Sequence, residues 1–254
     1  MPLKEINILQ RHGRQYVPDL RNVILPDIFR GRPVISGNIT TDEAEMVCAL
    51  CPVGAIGADS APCSIDLGKC VFCRECEFAL PLKIRFTNDC LIATNVRDGL
   101  IISSGNDQPV KLNPEKVRKE IRSFFKNALK LRQVSAAGDN STEMELNAAG
   151  NVNFDMGRYG IEFVASPRHA DGIVITGPIS QNMTEALQIC YDAIPAPKIV
   201  ILAGTDAISG GIFSGSAALN REFLNNHNVD LFVPGNPPHP ITFINGILDL
   251  IGRR

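Results

Sequence analysis

Three cysteines spaced three residues apart, in Cys70-Val-Phe-Cys73-Arg-Glu-Cys76, are the residues of this chain best placed to do chemistry. A loop of that length can turn all three thiolates towards one centre. A fourth thiol, Cys51, lies nineteen residues upstream and is followed at once by Pro52. Thiolates grouped in this way hold soft metal centres, iron–sulfur centres among them. Of eight cysteines, seven fall between Cys48 and Cys90. The opening Met-Pro-Leu-Lys-Glu-Ile lacks the apolar core of a secretory leader, so the clustering points to metal rather than disulfides. The eighth, Cys190, stands in an apolar helical pattern and is expected to be a buried structural thiol.

The spacing C-x2-C-x2-C with a distant Cys-Pro is that of a bacterial ferredoxin, in which the Cys-Pro of one half-motif serves the [4Fe–4S] cluster of the other half. Here the second half is Cys70, Cys73 and Cys76, then Leu80-Pro81 where a further Cys-Pro belongs. Of the first half only Cys51-Pro52 remains, and the standard spacing puts its other positions at Thr41, Ala44 and Val47. One cluster has lost all its ligands and the other has kept all of them. A single [4Fe–4S] cluster on Cys51, Cys70, Cys73 and Cys76 is therefore expected. Zinc competes, because Cys48-x2-Cys51 and Cys70-x2-Cys73 also match a four-cysteine ribbon. Against zinc stand the in-register Cys76, the proline after Cys51 and the Pro-Val-Gly-Ala-Ile that follows. Cys48, Cys63 and Cys90 have no part in the iron–sulfur reading.

The elements that must position these thiols can be read from pattern. At 254 residues and 44% hydrophobic content, the chain can bury one large core or two smaller ones. A net charge of −2 and the lack of a basic run give no sign of a nucleic-acid partner. No apolar run reaches the ~20 residues that span a bilayer, so a cytoplasmic protein is expected. Residues 1–35 form an arm with turn signals and little periodicity, expected to pack on a partner or on the next domain. Residues 36–105 form a ferredoxin-like α+β module with β-like runs at 63–66 and 84–86, closed by Gly99–Gly105. Residues 106–130 are expected to be a connecting helix, capped by Asn113, started by Pro114 and striped with Ile121, Phe124, Phe125, Ala128 and Leu129.

From 131 to 254 strand-length apolar runs (172–177, 198–204, 229–235) alternate with helical stretches (182–194, 217–225, 241–251). That alternation predicts an α/β, flavodoxin-like domain with a parallel, helix-covered sheet. Ligands in such sheets lie beyond the carboxyl ends of the strands, which selects residues 138–142, 204–206 and 235–238. The glycines from Gly204 to Gly211 match neither a G-x-G-x-x-G nor a P-loop spacing.

Four further motifs carry a resemblance: Phe154-Asp-Met-Gly-Arg-Tyr-Gly160, Ala165-Ser-Pro-Arg-His-Ala-Asp171, Gly172-Ile-Val-Ile-Thr-Gly-Pro178 and Val233-Pro-Gly-Asn-Pro-Pro238. With them the chain from about 130 onwards resembles the small subunit of membrane-bound [NiFe] hydrogenases and, equally, the B-type subunit of NADH–quinone oxidoreductase (complex I). The N-terminal half, from Phe29-Arg-Gly-Arg-Pro33 to Phe86-Thr-Asn-Asp89, is similar to the I-type, ferredoxin-like subunit of the same complexes. The resemblance implies a fusion of two subunits that adjoin in the assembled enzymes. It also implies a second [4Fe–4S] site in the α/β domain, whose ligand positions match Asp139, Thr142, Asp206 and Asn236 here. None of these is cysteine. Oxygen ligands suit Mg²⁺ or Ca²⁺ rather than iron–sulfur, and a pocket filled by hydrogen bonds is expected in preference to a new cation site. Glu143 and Glu145 match acidic positions beside the family's cluster loop, where proton handling or a simple first helical turn would explain them. His239 is expected at the surface.

Together these features imply an electron-transfer or accessory subunit of a hydrogenase- or complex I-related oxidoreductase, not catalytic alone. Its implied partners are a hydrogenase-like large subunit, other subunits and a membrane-anchored arm that would hold it peripherally on the inner face. The competing function is a non-redox scaffold or regulatory subunit with a structural zinc site. Anaerobically purified protein is expected to contain iron in excess of zinc by elemental analysis; zinc with no iron would sink the cluster reading.

Overall fold

The structure, a computed structural model, describes residues 3–13, 15–58 and 62–253. The chain opens with α1 (Leu3–His12), then β1 (Pro33–Ile35) and α2 (Thr41–Leu50). It continues through β2 (Ile56–Gly57), β3 (Ser64–Asp66), α3 (Glu75–Ala79), β4 (Ile84–Phe86), β5 (Ile101–Ser103) and α4 (Lys119–Phe124). The C-terminal part alternates: β6 (Leu129–Ser135), α5 (Ser141–Ala149), β7 (Ile161–Phe163), β8 (Gly172–Thr176), α6 (Gln181–Asp192) and β9 (Ile199–Ala203). It ends with α7 (Thr205–Ser209), α8 (Glu222–Asn226), β10 (Leu231–Val233) and α9 (Pro240–Leu250).

The cysteine-rich part is built on two small antiparallel sheets, β1–β4 and β2–β3–β5. The C-terminal part is a five-stranded parallel sheet in the order β10-β9-β8-β6-β7. This is the flavodoxin-like order, with its topological switch between β6 and β8. Strands β8 and β9 are buried along their whole length, as parallel strands covered on both faces must be. Alternate residues face opposite sides. Ile173, Ile175, Val200 and Leu202 share a core with Leu187 of α6 and with the buried cysteine-rich residues Ile35, Val47, Ile65 and Cys70. Val174, Ile199, Ile201 and Ala203 face α9. Thr94 bridges to Phe232, covering the open edge of β10. Among the described residues, no helix is long and apolar enough to cross a membrane.

Four local expectations are corrected. The arm contains the helix α1, which its weak periodicity does not announce. Further along, Leu20 and Leu25 are buried beside α9, with Asn245 Nδ2 donating to the Leu20 carbonyl (2.8 Å). The connecting helix is split. Asn113 and Pro114 start only a 3-10 turn (Pro114–Lys116), and Val117 is extended. Arg118, extended in turn, is drawn to Asp230 (Nε–Oδ1 2.8 Å), so α4 begins at Lys119. Leu129, the last residue of the apolar stripe, opens strand β6, which was not anticipated as a strand. The stretch 217–221 is not helical, because its backbone serves the loop before α6. Gln181 N–H donates to the Ala218 carbonyl (2.8 Å) and Asn220 N–H to that of Ile179 (3.0 Å). Finally, Cys190 is half-buried rather than enclosed.

The segment that holds Thr41, Ala44 and Val47 forms α2. Thr40 caps it, accepting from Glu43 N–H, while the Glu43 carboxylate accepts from Thr40 N–H (2.8 Å). Thr41 begins the helix; Ala44 and Val47, at the other two emptied positions, are completely buried in the shared core. Lys83 closes the unit with an ion pair to Glu43 (2.6 Å). The Lys83 hydrogen bond is the main reason the Glu43 carboxyl is held down at about 2. That stabilisation is present above the ordinary carboxyl range near 4.5 and is lost as pH falls towards about 2. Glu43→Gln is therefore expected to lower the melting temperature at pH 6, and its deficit against the wild type is expected to shrink in melts run from pH 5 down to pH 2.

Candidate metal centre

Four thiols from three segments converge. Cys51 is the C-terminal cap of α2, Cys70 follows the turn after β3, Cys73 lies in the connecting loop and Cys76 sits in α3. All four line one small cavity, whose apolar walls include Pro52, Ile65 and Phe86. Two backbone donors already point at sulfur: Ala55 N–H at Cys51 Sγ (3.2 Å) and Phe72 N–H at Cys70 Sγ (3.3 Å). To wrap the loop so tightly, Phe72 and Arg74 adopt left-handed backbone (φ 55° and 70°). For residues with a Cβ this costs about 1–2 kcal/mol each. Arg74 is held by Glu77 (Nη2–Oε1 2.9 Å), and Arg30 Nη1 donates to the Phe72 carbonyl (2.9 Å).

The base of the loop is organised by Asp66. Its carboxylate accepts from Gly68 N–H (2.9 Å) and from both terminal nitrogens of Arg97 (2.8 and 2.6 Å). Cys48 is turned elsewhere: its thiol donates to the Ile56 carbonyl (3.3 Å), and its charge is felt by the buried Cys63. Cys90 is buried in the other core, where its carbonyl accepts from Thr242 Oγ1 (2.7 Å). The zinc pattern of Cys48, Cys51, Cys70 and Cys73 is thus not the set that lines the cavity. Among the described residues, no group of three or more His, Cys, Asp or Glu is already arranged around a metal ion's position.

Burial pushes the Cys70 thiol up to about 12, against a partial counterweight from the Phe72 N–H and with added repulsion from Cys76, Cys51 and Cys73. Burial, then repulsion from Cys73, raises Cys76 to about 11. Sulfurs so placed stay protonated in metal-free protein and become thiolates when positive charge is bound among them.

The oxygen-bearing positions of the α/β domain lie at the carboxyl ends of its strands. Asp139 and Thr142 stand around the start of α5 next to the sheet's switch point, Asp206 in α7, and Asn236 in the exposed loop after β10. Asp139 accepts from Ser141 N–H and Oγ (2.9 and 2.6 Å), which lowers its pKa. Thr142 is buried against Gly204; a Cβ there would meet its Oγ1 at 2.8 Å. Glu143 is buried and accepts from Thr176 Oγ1 (2.6 Å). Burial raises the Asp206 carboxyl, and the negative charges of Asp139 and Glu143 add to the effect. Glu145 is raised by burial alone. His239 is not at the surface as expected. It is half-buried between Phe29 and Phe154, edge-on to both rings, and its Nδ1 accepts from Ile241 N–H (3.2 Å) to cap α9.

Residues that motif reading did not single out complete the centre: Asp66, Arg97, Arg30 and Thr205. The fully buried Thr205 hydroxyl bonds to the Cys70 carbonyl across the fold (3.0 Å). No spacing rule links residues so far apart in sequence. In metal-free protein, Cys70 and Cys76 are expected to resist alkylation at pH 8 while folded and to label rapidly when unfolded. Because their folded pKa values are raised, the metal-free fold is expected to be stable below pH about 9 and to weaken as pH rises through about 11 to 12, which melts at increasing pH would register.

Residues 140–250 match the family described as NADH ubiquinone oxidoreductase, 20 kDa subunit. A probable membrane-bound hydrogenase subunit mbhJ of Pyrococcus furiosus is 36% identical over 115 residues, covering 45% of this chain and 69% of the relative. The B-type subunit of NADH-quinone oxidoreductase from Desulfovibrio desulfuricans is 39% identical over 107 residues, which are 42% of this chain but only 58% of that one. A chain in a structure of the membrane-bound sulfane sulfur reductase, an archaeal respiratory membrane complex, is 27% identical with a TM-score of 0.44, over 50% of this chain and 70% of that one. Through its C-terminal part, this chain belongs to the NADH ubiquinone oxidoreductase 20 kDa subunit family.

Proposed function

We propose that this chain is an iron–sulfur electron-transfer subunit of a complex I- or hydrogenase-related assembly, carrying one [4Fe–4S] cluster on Cys51, Cys70, Cys73 and Cys76. The observation that carries the reading is the single cavity lined by those four thiols and by no other cysteine among the described residues. The donor set fits the group: all four ligands are sulfur, two accept backbone N–H bonds, and the thiols need bound positive charge to ionise. Bound there, such a cluster supplies one-electron transfer.

The protein's own residues do the rest. Pro52, Ile65 and Phe86 keep water from the sulfurs. Ala55 and Phe72 N–H groups favour the thiolate form. Asp66, gripped by Arg97, sets the turn that presents Cys70. At the positions that match the family's cluster ligands the α/β domain offers oxygen donors and no cysteine, and the Asp139 carboxylate is already engaged by Ser141. In this reading the domain supports the four-cysteine centre. The partners in this reading are a hydrogenase-like large subunit and, through it, a membrane arm; relatives that are subunits of membrane-bound hydrogenase and NADH-quinone oxidoreductase support it.

The test is redox titration of anaerobically purified protein. About four irons per chain and visible absorbance that bleaches with dithionite and returns on reoxidation are expected, with Cys73→Ser losing most of the iron. A colourless zinc protein that does not respond to dithionite would instead support the scaffold. Roughly eight irons with two interacting EPR signals would show that the α/β domain also carries a cluster.

A further inference from the structure

We infer that Thr205 is a positioning residue for the four-cysteine centre, so that the start of α7 serves as the socket of the cysteine loop. This rests on the cluster reading above and adds an element that the cysteine motif does not contain. Thr205 is the first residue of α7, directly before Asp206, and is wholly buried. Its hydroxyl lies 3.0 Å from the Cys70 carbonyl and 3.1 Å from the Gly235 carbonyl. Gly235 also receives the Thr205 backbone N–H (2.9 Å), so the one hydroxyl proton is shared between the Gly235 and Cys70 carbonyls, with Cys70 the nearer.

Two further contacts make the approach close rather than incidental. Gly68, in the turn before Cys70, faces α7 so tightly that a Cβ would meet Ile208 Cγ2 at 2.8 Å and the Arg97 guanidinium at 2.9 Å. Arg221, largely buried, donates to the carbonyls of Ala207 (2.8 Å) and Ile208 (2.9 Å) and so fixes the far end of α7. The start of α7 is thereby turned to hold the Cys70 peptide. A hydroxyl dipole aimed at the peptide of a ligand cysteine stabilises added negative charge on the centre and holds that ligand in place.

The test uses the full chain, comparing wild type with Thr205→Val, which keeps the volume and removes the hydroxyl, Thr205→Ala, which fits any space threonine fills, and Thr205→Ser, which restores the hydroxyl. Two readouts are taken: the rate of iron loss to a chelator and the reduction potential by EPR-monitored titration. Thr205→Val and Thr205→Ala are expected to lose iron about tenfold faster and to show a more negative potential, with Thr205→Ser close to wild type on both. Unchanged loss rate and potential in Thr205→Ala overturn the inference while leaving the cluster reading intact. Faster loss in all three variants, Thr205→Ser included, also overturns it, since packing and not the hydroxyl would then matter. Wild-type protein without iron fails the cluster reading itself and takes the inference with it.

Discussion

Four sulfurs drawn into one apolar cavity repel one another's charge, and burial, with that repulsion added, lifts Cys70 to about 12. That electrostatic constraint organises the surrounding structure. A site of this kind needs bound positive charge among the sulfurs, donors aimed at them and a backbone stiff enough to keep them together. The chain supplies the last two: N–H groups of Ala55 and Phe72, left-handed turns at Phe72 and Arg74, and a base anchored by the Asp66–Arg97 pair. Strain in the loop is offset by packing that no single segment provides.

The first half of the ligand pattern shows the opposite solution. Where Thr41, Ala44 and Val47 stand in place of cysteine, a capped helix forms, and its apolar side chains fill the space. Apolar residues at helical spacing bury well without a metal, while a bare loop would leave backbone groups unsatisfied. The α/β domain follows a different course at its own cysteine-free positions. Asp139 and Glu143 pair with hydroxyls, Thr142 fits against Gly204, and α7 turns to the Cys70 loop.

The two parts do not meet as separate balls joined by a tether. One apolar core runs from Ile35 and the cysteine loop into the face of the sheet formed by Ile173, Ile175, Val200 and Leu202, while the arm reaches the other face through Leu20 and Leu25. A perturbation of the cysteine loop is therefore felt in the sheet. The shared core holds the four-thiol cavity at a fixed place against the sheet.

Much of this was legible in the residues themselves. The C-x2-C-x2-C run with Cys51-Pro52 marked the thiol set, because few chain lengths let that many sulfurs reach one centre. The β–α alternation after residue 172 marked the parallel sheet, because buried strands must be apolar throughout. Local pattern misjudged the places where distant partners outweigh propensity. Leu129 looks like the end of a helical stripe but pairs with Ile161, and residues 217–221 give their backbone to the loop before α6. His239 looks polar and exposed until Phe29 and Phe154 close around it. Sequence by itself determined which atoms can bind metal, since ligand chemistry is a property of side chains and short spacings. Only the tertiary structure decided that Cys48 stays outside the set and that Thr205 reaches Cys70, because hydrogen bonds over 135 residues depend on how the sheet and the loop are packed together.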